Sequence, residues 1–133
     1  MVQVTKNIHP EFVDERGGIT KILDDGKTVI RSVLLISSKK GSVRANHYHK
    51  KDAHYAYLLS GRMEYTEAPV DAPESSESVI LEVGDMVLSP PMTIHRMRFL
   101  EDSVFLALAT ESRAQEDYEA DTVRVMLSDH KGF

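Results

Sequence analysis

Two blocks in which glycine, histidine and proline recur at fixed intervals restrict this chain more than any other feature. In GSVRANHYHKKDAHYAYLLSG, five residues separate Gly41 from the triplet His47, Tyr48, His49; four more lead to His54 and six more to Gly61. Side chains alternate faces along an extended strand, so His47 and His49 share a face and Tyr48 takes the other. A turn over 50–53 lets a strand beginning at His54 return antiparallel and aim a third imidazole at the same point. The second block, GDMVLSPPMTIH, runs from Gly84 through Pro90 to His95, and a later strand there supplies a fourth. Four of the six histidines fall in these blocks. Clustered imidazoles suit zinc, iron, copper or nickel, whereas magnesium and calcium ask for oxygen ligands that the blocks lack. His9 and His130, near the ends and without partners in the pattern, read as structural histidines.

The rest of the chain is a succession of short apolar runs separated by turn signals, with no long helical period. Candidate strands cover 19–23, 29–37, 43–49, 55–59, 62–66, 78–83, 86–89, 94–100, 104–110 and 122–127. Such spacing predicts a β-sandwich or barrel. Turns fall at Asp24-Asp25-Gly26, Lys39-Lys40-Gly41 and Glu101-Asp102-Ser103. The polar run 69–78 is the longest loop, a hairpin tip or a lid. The charged segment 113–121 has room for a helical turn before the final strand. With 133 residues, one domain spanning 1–133 is expected. The absence of cysteine excludes a disulfide framework, a thiolate zinc site and a cysteine nucleophile. A formal charge of −5 with no basic stripe argues against a nucleic-acid partner. No apolar run reaches signal-peptide or membrane-span length, so a cytoplasmic protein without a membrane partner is expected.

The two blocks resemble the signature motifs of the cupin superfamily. The first motif reads Gly, five residues, His, one, His, three or four, Glu, six, Gly; the second reads Gly, five residues, Pro, one, Gly, two, His, three, Asn. The first spacing is met throughout, with His54 at the glutamate position; Met92 stands at the second-motif glycine and Phe99 at the asparagine. Residues 12–23, FVDERGGITKIL, resemble the opening segment of cupins that act on nucleotide-linked keto-sugars. VRANHYHKK, 43–51, is similar to blocks of deoxysugar 3,5-epimerases, of sugar 3,4-ketoisomerases and of the cupin domains of capsule-sugar epimerases. EDYEADTVRV resembles the closing strand of that group.

The resemblance implies an all-β, single-domain cupin, a double-stranded β-helix or jelly-roll barrel, assembled as a homodimer. It implies an isomerase or epimerase of a nucleotide-linked keto-sugar in deoxysugar or surface-polysaccharide synthesis. A divalent transition metal, zinc first and iron, nickel or manganese as other fits, would be bound by His47, His49, His54 and His95, unless His54 is left free for acid–base work. Such chemistry removes a proton from the carbon beside a carbonyl and returns one. His49 and His54 are the candidate bases. Tyr55 and Tyr57 are read as lying on opposite faces, at most one looking inward, and Tyr57 is assigned as proton donor. Arg44 and Arg16 are the expected contacts to substrate diphosphate or sugar. Two other classes use the same residues: a mononuclear iron dioxygenase, and a non-catalytic barrel that holds a sugar or other small ligand.

Overall fold

Apolar segments of four to seven residues, cut by glycine-bearing turns, are too short to bury a helical stripe and long enough to span one layer of a sheet. The computed structural model describes residues 2–125 and 127. Its elements are β1 (Gln3–Thr5), β2 (Phe12–Asp14), β3 (Gly17–Ile19), β4 (Ser32–Ser38), β5 (Val43–His49), β6 (His54–Ser60), β7 (Met63–Pro69), β8 (Glu77–Leu81), β9 (Met86–Ser89), β10 (Thr93–Phe99), β11 (Ser103–Ala109), α1 (Gln115–Asp121) and β12 (Thr122–Arg124). Two five-stranded antiparallel sheets, in the orders β1-β9-β6-β11-β4 and β12-β5-β10-β7-β8, face each other as a jelly roll, with β2–β3 a separate hairpin. No helix among the described residues is long and apolar enough to cross a membrane.

Alternation decides what fills the space between the sheets. Ala56, Leu58, Val87, Phe105 and Ala107 from the first sheet meet Met63, Tyr65, Leu81, Met97 and Phe99 from the second in one buried cluster. Phe99, at the position of the motif asparagine, is fully buried and stacks on Phe105 at 5.8 Å between centroids. Its departure from the motif serves packing. The opposite face of the first sheet is left apolar and open, with Val33 61% and Leu35 68% exposed.

The motif glycines sit where no other residue fits easily. Gly61, at φ +91°, turns β6 into β7 so tightly that a Cβ would lie 2.5 Å from the Asp102 carbonyl oxygen. β5 and β10, which carry His47, His49 and His95, are tied at both ends: Gly41 N–H donates to the Phe99 carbonyl, and Met92 N–H to the His49 carbonyl.

Strands β5 and β9 lie at the expected bounds, and most others shift by a few residues. Three differences have structural causes. The run 19–23 is not a strand beyond Ile19, which ends the β2–β3 hairpin opposite Phe12, and β1 pairs with β9 although three residues are too few to show a period. β6 does not return beside β5; it pairs with β9 and β11 in the opposite sheet, so 50–53 carries the chain across the barrel. The last strand ends at Arg124, and Met126 and His130 lie outside the described residues.

Candidate active site

A defect in β5 builds the site. The register against β10 slips between His95 and Arg96, pairing His95 with His47 but Arg96 with Ala45, so Asn46 is an extra residue. Ala45 and Asn46 both take left-handed backbone, at φ +74° and +58°, a conformation that costs about 1–2 kcal/mol per residue outside glycine and is least unfavourable for Asn. In a regular strand Arg44 would face away from His47; the bulge restores it to the same side. Arg44, His47 and His95 therefore all line one cavity of about 120 Å³ between the sheets, with His54, Leu34, Phe105 and others.

Hydrogen bonds settle which nitrogen His49 and His95 offer. Thr122 donates its hydroxyl proton to the Tyr118 carbonyl, 2.6 Å away, so its oxygen accepts from Nδ1–H of His49 at 3.2 Å. The Asp121 carboxylate lies 3.7 Å from the same Nδ1. His49 Nε2 is left buried with no partner. His95 turns Nδ1 toward the Thr93 carbonyl at 3.4 Å, which leaves its Nε2 as the inward atom. One ligand atom each from His47, His49 and His95 fall within 4.8 Å of one another. Orientation of the ring by an outer carboxylate or carbonyl, with the other nitrogen bare, is what a metal ligand requires, and the three residues fit a divalent transition metal.

Burial keeps these rings in the form that binds metal. Desolvation, then the neighbouring His49 and His54, holds His47 down to about 3. Desolvation and His54 likewise hold His49 down to about 4. His95, wholly enclosed, is lowered well below the usual histidine range by burial first and by His47 and His54 after it. At neutral pH all three are uncharged.

His54 is differently employed. It reaches the cluster from the opposite sheet and stacks on His49, centroids 4.7 Å apart and rings 13° from parallel. Its Nε2–H donates to Asp52 Oδ2 at 2.5 Å, leaving the lone pair on Nδ1. Asp52 is itself buried: its Oδ1 accepts from Thr110 N–H, the Thr110 hydroxyl and Glu111 N–H. Burial alone would raise the Asp52 carboxyl, yet His54 and Thr110 hold it below the ordinary carboxylate value. His54 groups with His49 and Asp52 as a second potential ligand set rather than with His47 and His95.

The two sequence-assigned residues outside the cluster lie elsewhere. Tyr57 does not reach the cavity: residues two apart on a strand share a face, so Tyr55 and Tyr57 both lie on the face of β6 opposite His54, Ala56 and Leu58. Arg16, with its side chain 81% exposed, pairs with Asp14 in the β2–β3 hairpin. The tyrosine that does approach is Tyr118 of α1, with its centroid 5.4 Å from His49 and 6.4 Å from His47. Arg113 lies 3.6 Å over its ring, and both line the cavity. A second inward tyrosine, Tyr65, donates to Glu67 at 2.9 Å and shares a hydrogen bond with Ser89 at 2.8 Å. Burial, then Glu67, raises its pKa, so it stays a phenol. Asp52, Tyr65, Arg113 and Tyr118 escaped the sequence reading; Asp52, two residues from His54, carried the only local signal. The loop 70–76 forms the tip of the β7–β8 hairpin and lines no part of this cavity.

The pattern of the cupin domain family matches residues 34–110, and no curated protein matches the sequence. Among solved structures, a double mutant of the QdtA 3,4-ketoisomerase from Thermoanaerobacterium thermosaccharolyticum, in complex with TDP, is 26% identical. It superposes with a TM-score of 0.72 over 92% of this chain and 86% of its own. The WlaRB TDP-quinovose 3,4-ketoisomerase from Campylobacter jejuni is 17% identical, with a TM-score of 0.74 over 92% of each chain. ChmJ, a 3'-monoepimerase from Streptomyces bikiniensis in complex with dTDP-quinovose, is also 17% identical, with a TM-score of 0.77 over 93% of this chain and 69% of its own.

Proposed function

The chain belongs to the cupin family, and from that premise we propose that it is an isomerase or epimerase of a nucleotide-linked keto-sugar, working in deoxysugar or surface-polysaccharide synthesis. The observation that carries this reading is the cavity itself: uncharged, buried histidines stand beside a carboxylate-held histidine and an inward arginine. The fold is shared with the 3,4-ketoisomerases and the 3'-monoepimerase. His47, His49 and His95 are the residues that would hold a divalent transition metal, zinc first, with iron, nickel and manganese as other fits. Such a metal supplies Lewis-acid polarisation of the substrate carbonyl.

His54 is the base. Its Nδ1 lone pair takes the proton from the carbon beside the carbonyl, and the Asp52 carboxylate at Nε2 stabilises the imidazolium that forms. Tyr118, in the cavity wall, takes the role assigned to Tyr57 and returns a proton from its hydroxyl. Arg44, steadied by the Ser38 hydroxyl at 2.7 Å and the Ser37 carbonyl at 2.9 Å, contacts the oxygens of the sugar or its phosphate. The open apolar face bearing Val33 and Leu35, with Phe12, Val13 and Ile19 exposed on the β2–β3 hairpin, supports a homodimer.

The test is proton exchange. TDP-4-keto-6-deoxyglucose, the ligand named for a QdtA variant complex, incubated with the protein in heavy water should gain deuterium at a carbon adjacent to its ketone. No exchange, in protein carrying its metal, overturns the reading. Three histidines leave coordination positions open, which also suits an iron oxygenase; elemental analysis of protein purified without a nickel column separates the two. Iron with substrate-dependent oxygen uptake would favour the oxygenase.

A further inference from the structure

The cavity wall is electrically one-sided. Arg44 and Arg113 line it, and no aspartate or glutamate does. Among the described residues, Arg44 donates to neutral oxygens, those of Ser38 and Ser37. Arg113 stands over the Tyr118 ring, its Cζ 3.6 Å from the centroid, and makes no ion pair among the described residues. Stacking occupies one face of a guanidinium and leaves its in-plane N–H donors free, the arrangement that meets an oxyanion in a two-pronged fashion. The larger cleft on the outer side of Tyr118, about 480 Å³, differs in kind: Arg31, Lys50 and Lys51 are balanced there by Asp52, Glu111, Asp117 and Asp121. Unbalanced positive charge is found on the inner cavity, not on the larger cleft.

Position gives that charge a use. Tyr118 is carried on α1, which joins β11 to β12, and β12 pairs with β5 so that Thr122 stands opposite His49. The helix therefore sets Tyr118 beside His47 and His49, with Arg113 over its ring. An anion at Arg113 has the histidine cluster within one small molecule's length. We propose that Arg113, held on Tyr118, binds the diphosphate of the substrate at the cavity mouth and thereby places the sugar ring among the histidines. This rests on the sugar-nucleotide reading above for the identity of the ligand, but not for its charge.

The experiment is calorimetric titration of the purified protein and its variants with TDP and, separately, with inorganic pyrophosphate. Arg113→Gln should weaken both by about tenfold or more, Arg113→Lys should recover part of the loss, and Tyr118→Phe, which keeps the ring, should stay within about twofold of the parent. Arg113 is exposed, so its variants should melt with the parent; if Arg113→Gln unfolds, Arg113→Lys carries the comparison. Unchanged affinity of Arg113→Gln for both probes overturns the proposal. Parent protein that binds pyrophosphate through Arg113 but binds TDP no better and exchanges no proton on the keto-sugar would retain the anion site and sink the nucleotide reading. Binding of neither probe would sink both.

Discussion

At the scale of single residues, the site is explained by where each proton is pinned. His49 and His54 are stacked neighbours with opposite assignments: the first donates from Nδ1 and bares Nε2, the second donates from Nε2 and bares Nδ1. The difference predicts separable phenotypes. His49→Ala should fall from about one metal per chain to near zero by elemental analysis while keeping its far-ultraviolet dichroism. His54→Ala should keep its metal and lose turnover by about 100-fold or more, and Asp52→Asn should lose part of that by removing the charge behind the imidazolium. Loss of metal from His54→Ala would instead place it in a four-histidine shell. Tyr57→Phe should leave turnover within about twofold, since its hydroxyl lies on the far side of β6, whereas Tyr118→Phe should slow it by about 100-fold.

At the scale of elements, two of the motif positions that take left-handed backbone are treated differently. Gly61 holds φ +91° against the Asp102 carbonyl, so Gly61→Ala should cost about 2 kcal/mol or more in urea denaturation, from a clash that no rotamer relieves. Met92, where the family motif has glycine, takes φ +59° with its side chain exposed. Met92→Gly should raise stability by roughly 0.5–1 kcal/mol, because relief of left-handed strain exceeds the added freedom of the unfolded chain. A destabilised Met92→Gly would mean that the methionine side chain packs to some purpose. The motif glycine at that position is thus legible as a conformational requirement that this chain meets at some cost.

At the scale of the whole molecule, the buried histidines make stability depend on pH. In the unfolded chain they titrate near 6.5. Folded, His47 titrates at about 3, His49 at about 4, and His95 well below its usual range. Between about 6.5 and 4 the unfolded state binds protons that the folded state refuses, so stability falls as pH falls through that window. The slope is at most about 1.4 kcal/mol per pH unit per histidine. Chelator-stripped protein should therefore show a urea midpoint that drops steadily from pH 7 to pH 4.5, and a flat profile would mean the rings protonate in place. The proposed homodimer is tested at this scale as well: Leu35→Lys on the open sheet face should shift the species seen by light scattering toward monomer, and an unchanged mass would remove that face from the interface.

What the sequence alone determined is whatever depends on short range. Strand alternation put His47 and His49 on one face, glycine at Gly41, Gly61 and Gly84 marked left-handed turns, and even spacing of apolar runs foretold antiparallel sheets and β5 to the residue. Only the tertiary structure decided the rest, since it depends on partners far away in the chain. The bulge at Ala45–Asn46 reversed the parity that would have turned Arg44 outward. β6 joined β9 and β11, bringing His54 across the barrel instead of alongside β5. Asp52 became a buried acceptor because Thr110 and Glu111 converge on it from just past the end of β11, and α1, with the segment leading into it, carried Tyr118 and Arg113 to the cavity through the pairing of β12 with β5. Periodicity states which way a side chain points within its own strand; which strand stands opposite, and what it brings, is settled by burying both sheets at once.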